Sequence, residues 1–308
     1  MTGGERIILD TDFGNDCDDA AALAILHQMA NNGEAEILAT MYPMNDSLGA
    51  AAIDAVNTFF NRPEIPVGTY KGAYTYKGTH NDFYNSRLAL SLPHDLRSGK
   101  HAPDAVMLYR KLLAAQPDGS VTIVVVGPQR LIADLLVWQP DSNSELDGKS
   151  LVARKVKRLV CMGTEYPKGH EWNIRICPEA AQYVADNWPT EIVYSGFEIG
   201  FSIMTGERLI RETRESNPVR IAFETNPMVD SIKNRHSWDQ TAVLFAVRGA
   251  SDYWDVHTGR VRIDADGKND WARDEKKHFY LVQKKPVGEM KRIIEDMMVT
   301  EPSPAVSE

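Results

Sequence analysis

The chain has 308 residues, 43% apolar and 25% charged, the balance of an ordinary globular protein with a sizeable core. Its net charge of −9 argues against a phosphate-binding nucleic-acid surface, and no apolar run approaches the roughly 20 residues of a membrane span. Three cysteines are too few and too odd in number for a disulfide framework, and residues 1–6 lack a signal-peptide apolar core, so a reduced, cytoplasmic protein is expected.

In chain order, Ile7-Ile8-Leu9 reads as a buried strand, and five aspartates follow within ten residues: Asp10, Asp12, Asp16, Asp18 and Asp19. Behind them Leu23, Leu26 and Met29, with Ala22 and Ile25 beside them, carry a helical period. The carboxylates therefore lie where a strand hands over to a helix, the edge at which open α/β sheets bind ligands. Capping explains one or two of them, Asp16 or Asp18 as N-cap and Asp19 in the first turn. It does not explain five, because unpaired carboxylates this dense repel one another. A bound cation removes that repulsion, and hard oxygen donors suit Ca²⁺ or Mg²⁺.

Residues 35–41 read as a second strand leading into Asn45-Asp46, followed by a helix over 50–60 and a short strand at 65–68. This βαβ rhythm predicts a parallel sheet. Residues 69–86 hold Tyr70, Tyr74, Tyr76, Phe83 and Tyr84 among polar residues without period, and read as a lid over a site. A helix over 103–115, with Pro103 in its first turn, precedes 121–126, an apolar run typical of a central strand. Gly127-Pro128 stops that strand, a helix covers 131–136, 139–150 reads as a connection and 157–162 as a strand. A loop over 163–177 contains Glu171-Trp172-Asn173 and leads to a helix from Pro178 and a strand at 190–194. A helical region then runs to Gly249, with Trp238-Asp239 ahead of the apolar run 242–247. Strands at 253–263 and 278–282 flank the turn Asp264-Ala265-Asp266-Gly267, and a helix over 287–298 precedes a disordered tail at 300–308. No repeat or linker divides residues 1–299, so one domain is expected.

Asp10-x-Asp12-x-Gly14 followed by Asp18-Asp19-Ala20 resembles the signature of the nucleoside hydrolases, the inosine-uridine-preferring family and its purine-specific relatives. The resemblance continues in order through Asn45-Asp46, Val126-Gly127-Pro128, Met162-Gly163, Glu171-Trp172-Asn173 with Pro178-Glu179-Ala180-Ala181, and Trp238-Asp239. It thus spans residues 6 to about 250. It implies a single-domain, open, mostly parallel α/β sheet of Rossmann-like topology with one Ca²⁺ at its carboxyl edge. The activity it implies is hydrolysis of the N-glycosidic bond of ribonucleosides, here purine, in a homodimer or homotetramer. By resemblance the metal ligands are Asp12, Asp19, the backbone carbonyl of Val126 and Asp239, and Asp12 is also the general base. Asp18, Asn45, Glu171 and Asn173 match positions that hold the ribose, and Asp46 matches one that hydrogen-bonds the purine edge.

The departures from the pattern concern the leaving base. Broad-specificity members place a His immediately before the last Asp ligand to protonate that base; here the residue is Trp238. Trp238 and Trp172 match the purine-specific members, in which an indole stacked on the purine would raise the basicity of a ring nitrogen and let water protonate it. Asn15-Asp16-Cys17 interrupt the usual spacing, so Asp16 is open to replacing Asp18 at the ribose or joining the metal shell. The Asn expected upstream of Glu171 has no counterpart beyond Thr164, Glu165 or His170, and Gln129-Arg130 stand where the family more often has Thr-Asn. His80, His170 and His236 lie nearest the site segments and read as solvated or structural. Cys17, among carboxylates, should have a raised pKa and be a poor nucleophile.

Two other classes compete. An aspartyl-phosphate phosphatase also opens with Asp10-x-Asp12 after an apolar strand, but Gly14 stands where Thr or Val is wanted and no downstream Lys is recognisable. A non-catalytic nucleoside- or sugar-binding protein that kept the metal site is the other, and the missing His is its support. A calcium loop of the EF-hand type is excluded, since counting from Asp10 puts Asn15 at the required Gly and Ala21 at the closing Glu.

Overall fold

A computed structural model describes residues 3–73, 81–273 and 277–302. The chain opens with β1 (Glu5–Asp10), α1 (Asp18–Asn31), β2 (Ala35–Tyr42), α2 (Gly49–Phe59) and β3 (Val67–Thr69). Helices α3 (Asn85–Ser91) and α4 (Ala105–Ala115) lead to β4 (Val121–Val125), α5 (Arg130–Val137), α6 (Gly148–Lys155) and β5 (Val156–Met162). Next come β6 (Lys168–Gly169), α7 (Trp172–Ile176), α8 (Pro178–Asn187) and β7 (Glu191–Ser195). The segment up to the last long helix holds α9 (Phe197–Phe201), β8 (Met204–Thr205), α10 (Leu209–Glu212), α11 (Pro218–Thr225), β9 (Arg235–His236) and α12 (Trp238–Arg248). The chain closes with β10 (Trp254–Ile263), β11 (Asn269–Ala272), β12 (His278–Gln283) and α13 (Val287–Met298).

Ten strands form one sheet in the order β3-β2-β1-β4-β5-β7-β12-β10-β11-β6. Neighbours are parallel from β3 to β12 and antiparallel from there to β6, so the fold is α/β and mostly parallel, as the βαβ rhythm predicts. The chain winds outward from β1 to β3, then returns to lay β4 on the other side of β1. That reversal opens a crevice beyond the carboxyl ends of β1 and β4, where open α/β sheets bind ligands.

The pleat of the central strands feeds two cores. Ile7, Leu9, Val124 and Val160 point into one, shared with α1, α12 and α13, while Ile8, Ile123, Val125 and Leu159 point into the other, shared with α4, α5 and α8. Both faces are covered, which is why the strands read as continuous apolar runs.

Several expectations need correction. The expected apolar stripe on α1 is in fact burial all round: Asp18 through His27 are buried, since the sheet covers one side and other helices the other. Pro103 lies before α4, whose N-cap is Asp104, accepting from Met107 N at 3.0 Å. Part of the presumed connection 139–150 starts α6, capped by Asp147 through Ser150 N at 2.7 Å. The helical region before Gly249 is broken by a two-stranded ribbon of β8 and β9, and Trp238 and Asp239 lie inside the first turn of α12. Of the expected lid, residues 74–80, including Tyr74, Tyr76 and His80, lie outside the described residues, and Asn85 already opens α3. Most of the tail, 303–308, lies outside them too. Among the described residues no helix is long and apolar enough to cross a membrane.

Within α1, His27 is wholly buried, with Nε2 2.9 Å from Asn57 Oδ1 and its ring stacked 4.8 Å from Phe60. Burial lowers its pKa from 6.5 to about 3. The unfolded chain takes up this proton near pH 6.5 and the folded chain only near 3, so the neutral ring's contribution is complete above 6.5 and is lost as pH falls. The slope reaches at most about 1.4 kcal/mol per pH unit. His27→Gln is expected to flatten the dependence of stability on pH across that window, read from urea denaturation at a series of pH values; an unchanged slope contradicts the assignment.

Candidate active site

The site is built on the turn after β1. Thr11 N donates to Met41 O at 3.0 Å and Val126 N to Asp10 O at 2.8 Å, so the ends of β1, β2 and β4 are held level. Asp12 then lies against Gly127, where a Cβ would fall 2.8 Å from Asp12 Oδ1; glycine permits that approach. Gly14 has φ +118, and a side chain there would strike the amide of Asn85.

The intervening Asn15-Asp16-Cys17 is pinned from outside. Phe83 N donates to Gly14 O at 3.0 Å, Tyr84 OH to Asp16 O at 2.7 Å, Asn85 Nδ2 to Phe13 O at 2.9 Å and Asn226 Nδ2 to Asn15 O at 3.1 Å. Asp16 also lines the crevice, and its carboxylate accepts from Cys17 N at 2.8 Å and from Arg235, Nε at 2.9 Å and Nη2 at 2.5 Å.

Cys17, with no side-chain cap of its own, precedes the first turn of α1, where Asp18 and Asp19 are buried. Thr11 Oγ1 donates to Asp19. Asp239, in the first turn of α12, donates its backbone N to Asp18 Oδ2 at 3.3 Å. Two helix N-termini thus converge on one acidic point, and their dipoles favour negative charge there. One carboxylate oxygen each from Asp18, Asp19 and Asp239 lies within 4.8 Å of the others, a group able to hold a metal ion. Burial first, then neighbouring carboxylates including Asp12, pushes all three well above the usual carboxylate range. Four buried carboxylates with hard oxygen donors and one nearby guanidinium fit a divalent cation of the Ca²⁺ or Mg²⁺ kind.

Across the crevice, Glu171 caps α7, accepting from Asn173 N at 2.8 Å and Ile174 N at 3.1 Å; burial raises it to about 7. Asn173 Nδ2 donates to Val126 O at 3.0 Å, which ties the α7 turn to the end of β4. Beneath the floor, Asp10 accepts from Tyr109 OH at 3.1 Å and does not line the crevice.

The upper wall is aromatic. Trp238 Nε1 donates to Phe197 O at 2.9 Å, and the indole has Phe197 at 5.2 Å, His236 at 4.7 Å and the Arg235 guanidinium at 4.9 Å from its ring. Arg175 lies over Trp172 at 4.4 Å.

These groups enclose one cavity of about 360 Å³. Asp12, Asp18, Asp19, Val126 and Asp239 line its floor, and Glu171, Trp172, Asn173 and Trp238 its walls. Asn45 and Asp46 do not line it. Asn45 is exposed, and Asp46 is spent on the start of α2, accepting from Tyr42 OH, Leu48 N at 3.0 Å and Gly49 N at 2.8 Å. Neither His170 nor His236 lines the cavity either: His170 bonds Asp266 O at 3.0 Å, and His236 bonds Phe201 O at 2.6 Å. Burial, with Asp16 and Asp18, raises the Cys17 thiol, as expected of a poor nucleophile. Asn81 and Phe83, from the segment expected to lie over the site, line the walls, and sequence reasoning missed Phe197, Met228 and Arg235 there. A lone basic residue three places before Trp238 was the one signal for Arg235.

The strand-end acidic floor and the aromatic wall above it lie at the switch point of the parallel sheet, where open α/β folds take a small ligand. The model of the inosine-uridine preferring nucleoside hydrolases matches residues 7–287, and the chain belongs to that family; it is a glycosidase acting on N-glycosyl compounds. An inosine-uridine preferring nucleoside hydrolase from Bacillus anthracis shares the fold at 17% identity and TM-score 0.73, over 96% of this chain and 99% of that one. A purine-preferring ribonucleoside hydrolase from Gardnerella vaginalis does so at 15% and 0.74, over 96% and 98%. The type III effector protein XopQ, complexed with adenosine diphosphate ribose, does so at 13% and 0.71, over 97% and 94%. No curated protein matches the chain in sequence.

A divalent cation at 100 times its dissociation constant is expected to stabilise the protein by about 2.7 kcal/mol, read as a raised melting temperature. Asp239→Asn should abolish that rise while leaving the chelated protein no less stable, since one repelling charge is gone. A cation effect equal in wild type and variant counts against the site.

Proposed function

We propose that the protein is a Ca²⁺-dependent hydrolase of purine ribonucleosides. The observation that carries the reading is the single cavity in which buried Asp12, Asp18, Asp19 and Asp239 face Trp172 and Trp238. Ribose fits a floor of acceptors, and a purine fits an aromatic wall.

Asp12, Asp19, Asp239 and the Val126 carbonyl are proposed to hold the ion, with Asp18 close enough to share it. All are hard oxygen donors, and Ca²⁺ accepts the irregular, six-to-eight-oxygen shells that such a set leaves open to sugar hydroxyls. The ion, when bound, would offset the buried negative charge and make a nearby water more acidic. Asp12 takes the proton of the attacking water. Asp18, Glu171 and Asn173 hold the ribose hydroxyls, and the negative charge of the carboxylates nearby stabilises an oxocarbenium-like transition state. Asn45 and Asp46, outside the cavity, take no part in this reading. Trp172 and Trp238 flank the base and exclude water from it.

Base release from inosine, guanosine, adenosine and uridine, with and without a chelator, tests the reading. Cleavage that the chelator stops and Ca²⁺ restores is expected, whereas tight nucleoside binding without any product would instead mark a binding protein. Asp12→Asn is expected to slow turnover about 10²–10⁴-fold. A near-wild-type rate in that variant removes Asp12 as the base.

A further inference from the structure

The cavity contains a group that the hydrolytic reading leaves without a task. Arg235 is the one cation among its described lining residues, facing Asp12, Asp16, Asp18, Asp19, Glu171 and Asp239. Its side chain is 17% exposed, low for an arginine at a cavity mouth. Asp16 engages Nε and Nη2 in a two-pronged pair that fixes the plane of the guanidinium. The outer edge is loosely used: Nη1 reaches Met228 O at 3.4 Å and Nη2 lies 3.8 Å from Met228 Sδ, a weak acceptor. Of the five N–H donors of a guanidinium, Asp16 takes two and Met228 two at long range, so a stronger acceptor that displaces Met228 can take this edge. It also lies over Trp238, 4.9 Å from the ring, so a base brought against that indole meets fixed positive charge.

We propose that Arg235, clamped by Asp16 and laid over Trp238, is the residue that binds and activates the leaving base, and that it selects 6-oxopurines over 6-aminopurines. The inference rests on the hydrolase reading of the same cavity. In hypoxanthine and guanine, O6 and N7 are adjacent acceptors that match the two-donor edge of a guanidinium, whereas adenine sets a donor amino group beside N7. The reaction balances without a histidine. The C1′–N9 bond breaks with its electron pair passing to the purine, and C1′ gains a bond to the water oxygen. The water's proton goes to Asp12. Negative charge on the departing purine spreads to N7 and O6, where Arg235 meets it, and solvent protonates the base on release. Placed where charge develops, a fixed cation acts mainly on the transition state.

Three substrates separate this role from a structural one: inosine, adenosine and p-nitrophenyl riboside, whose phenolate departs unaided. In the wild type, kcat/KM is expected to favour inosine over adenosine. Arg235→Gln should lower kcat on inosine about 10²-fold, bring the inosine-to-adenosine ratio toward one and lower turnover of the nitrophenyl riboside far less. An unchanged circular-dichroism spectrum certifies that the variant is folded. Arg235→Lys, which keeps the charge but not the two-donor edge, should fall between. Equal losses on all three substrates, an unchanged rate on inosine, or a wild type that prefers adenosine overturns the assignment. A wild type inactive on all three overturns the hydrolase reading itself, and this assignment with it.

Discussion

Everything in this molecule accommodates the burial of several carboxylates at one point. At the 4.8 Å over which Asp18, Asp19 and Asp239 gather, each ionised pair repels by about 3–4 kcal/mol at an effective dielectric of 20. The fold supplies partial answers: two helix N-termini aimed at the cluster, a hydroxyl from Thr11 on Asp19, and the Asp239 backbone N–H on Asp18. None of these carries a full positive charge. Arg235 does, but Asp16 already engages it. The remaining negative charge is what makes the floor able to hold a cation.

The sheet decides where that point lies. Because the chain returns beside β1 with β4, two strand ends and the helix behind β1 meet at a crevice. Asp12 and Val126 arrive from those strand ends, Asp18 and Asp19 from the helix, and Asp239 from the far end of the chain on a helix packed against α1. The antiparallel extension from β12 to β6 adds nothing to the floor. It reaches the site only through β6, just ahead of the turn that carries Glu171.

Above the floor the chemistry changes from oxygen donors to rings and guanidinium groups. Phe197, Trp238 and Arg235 form one packed set, with Arg235 joined to the floor through Asp16. The three residues Asn15-Asp16-Cys17 that break the usual spacing thus gain a physical meaning: they lengthen the turn enough for Asp16 to reach across to β9, and Tyr84, Asn85 and Asn226 satisfy its carbonyls.

Sequence by itself determined the strand-to-helix aspartates, the parallel core and the order of the motifs, because these are local: apolar runs, short-range spacing, and prolines and glycines at fixed offsets. Of the residues that line the cavity, the family resemblance marked nine, and Asp12, Asp18 and Asp19 among them also stood out by their density at a strand end. Local signals gave no sign of Arg235, whose partner Asp16 lies 219 positions away, or that Asp46, matched by resemblance, would bond the start of α2. They also failed for β6 and β11, too short to carry a period, and for α1, whose burial on every side depends on helices far along the chain. Periodicity reports which way a side chain points within its own element. What it will face there is a matter of which elements pack together, and for Arg235 and Asp46 only the tertiary structure settled that.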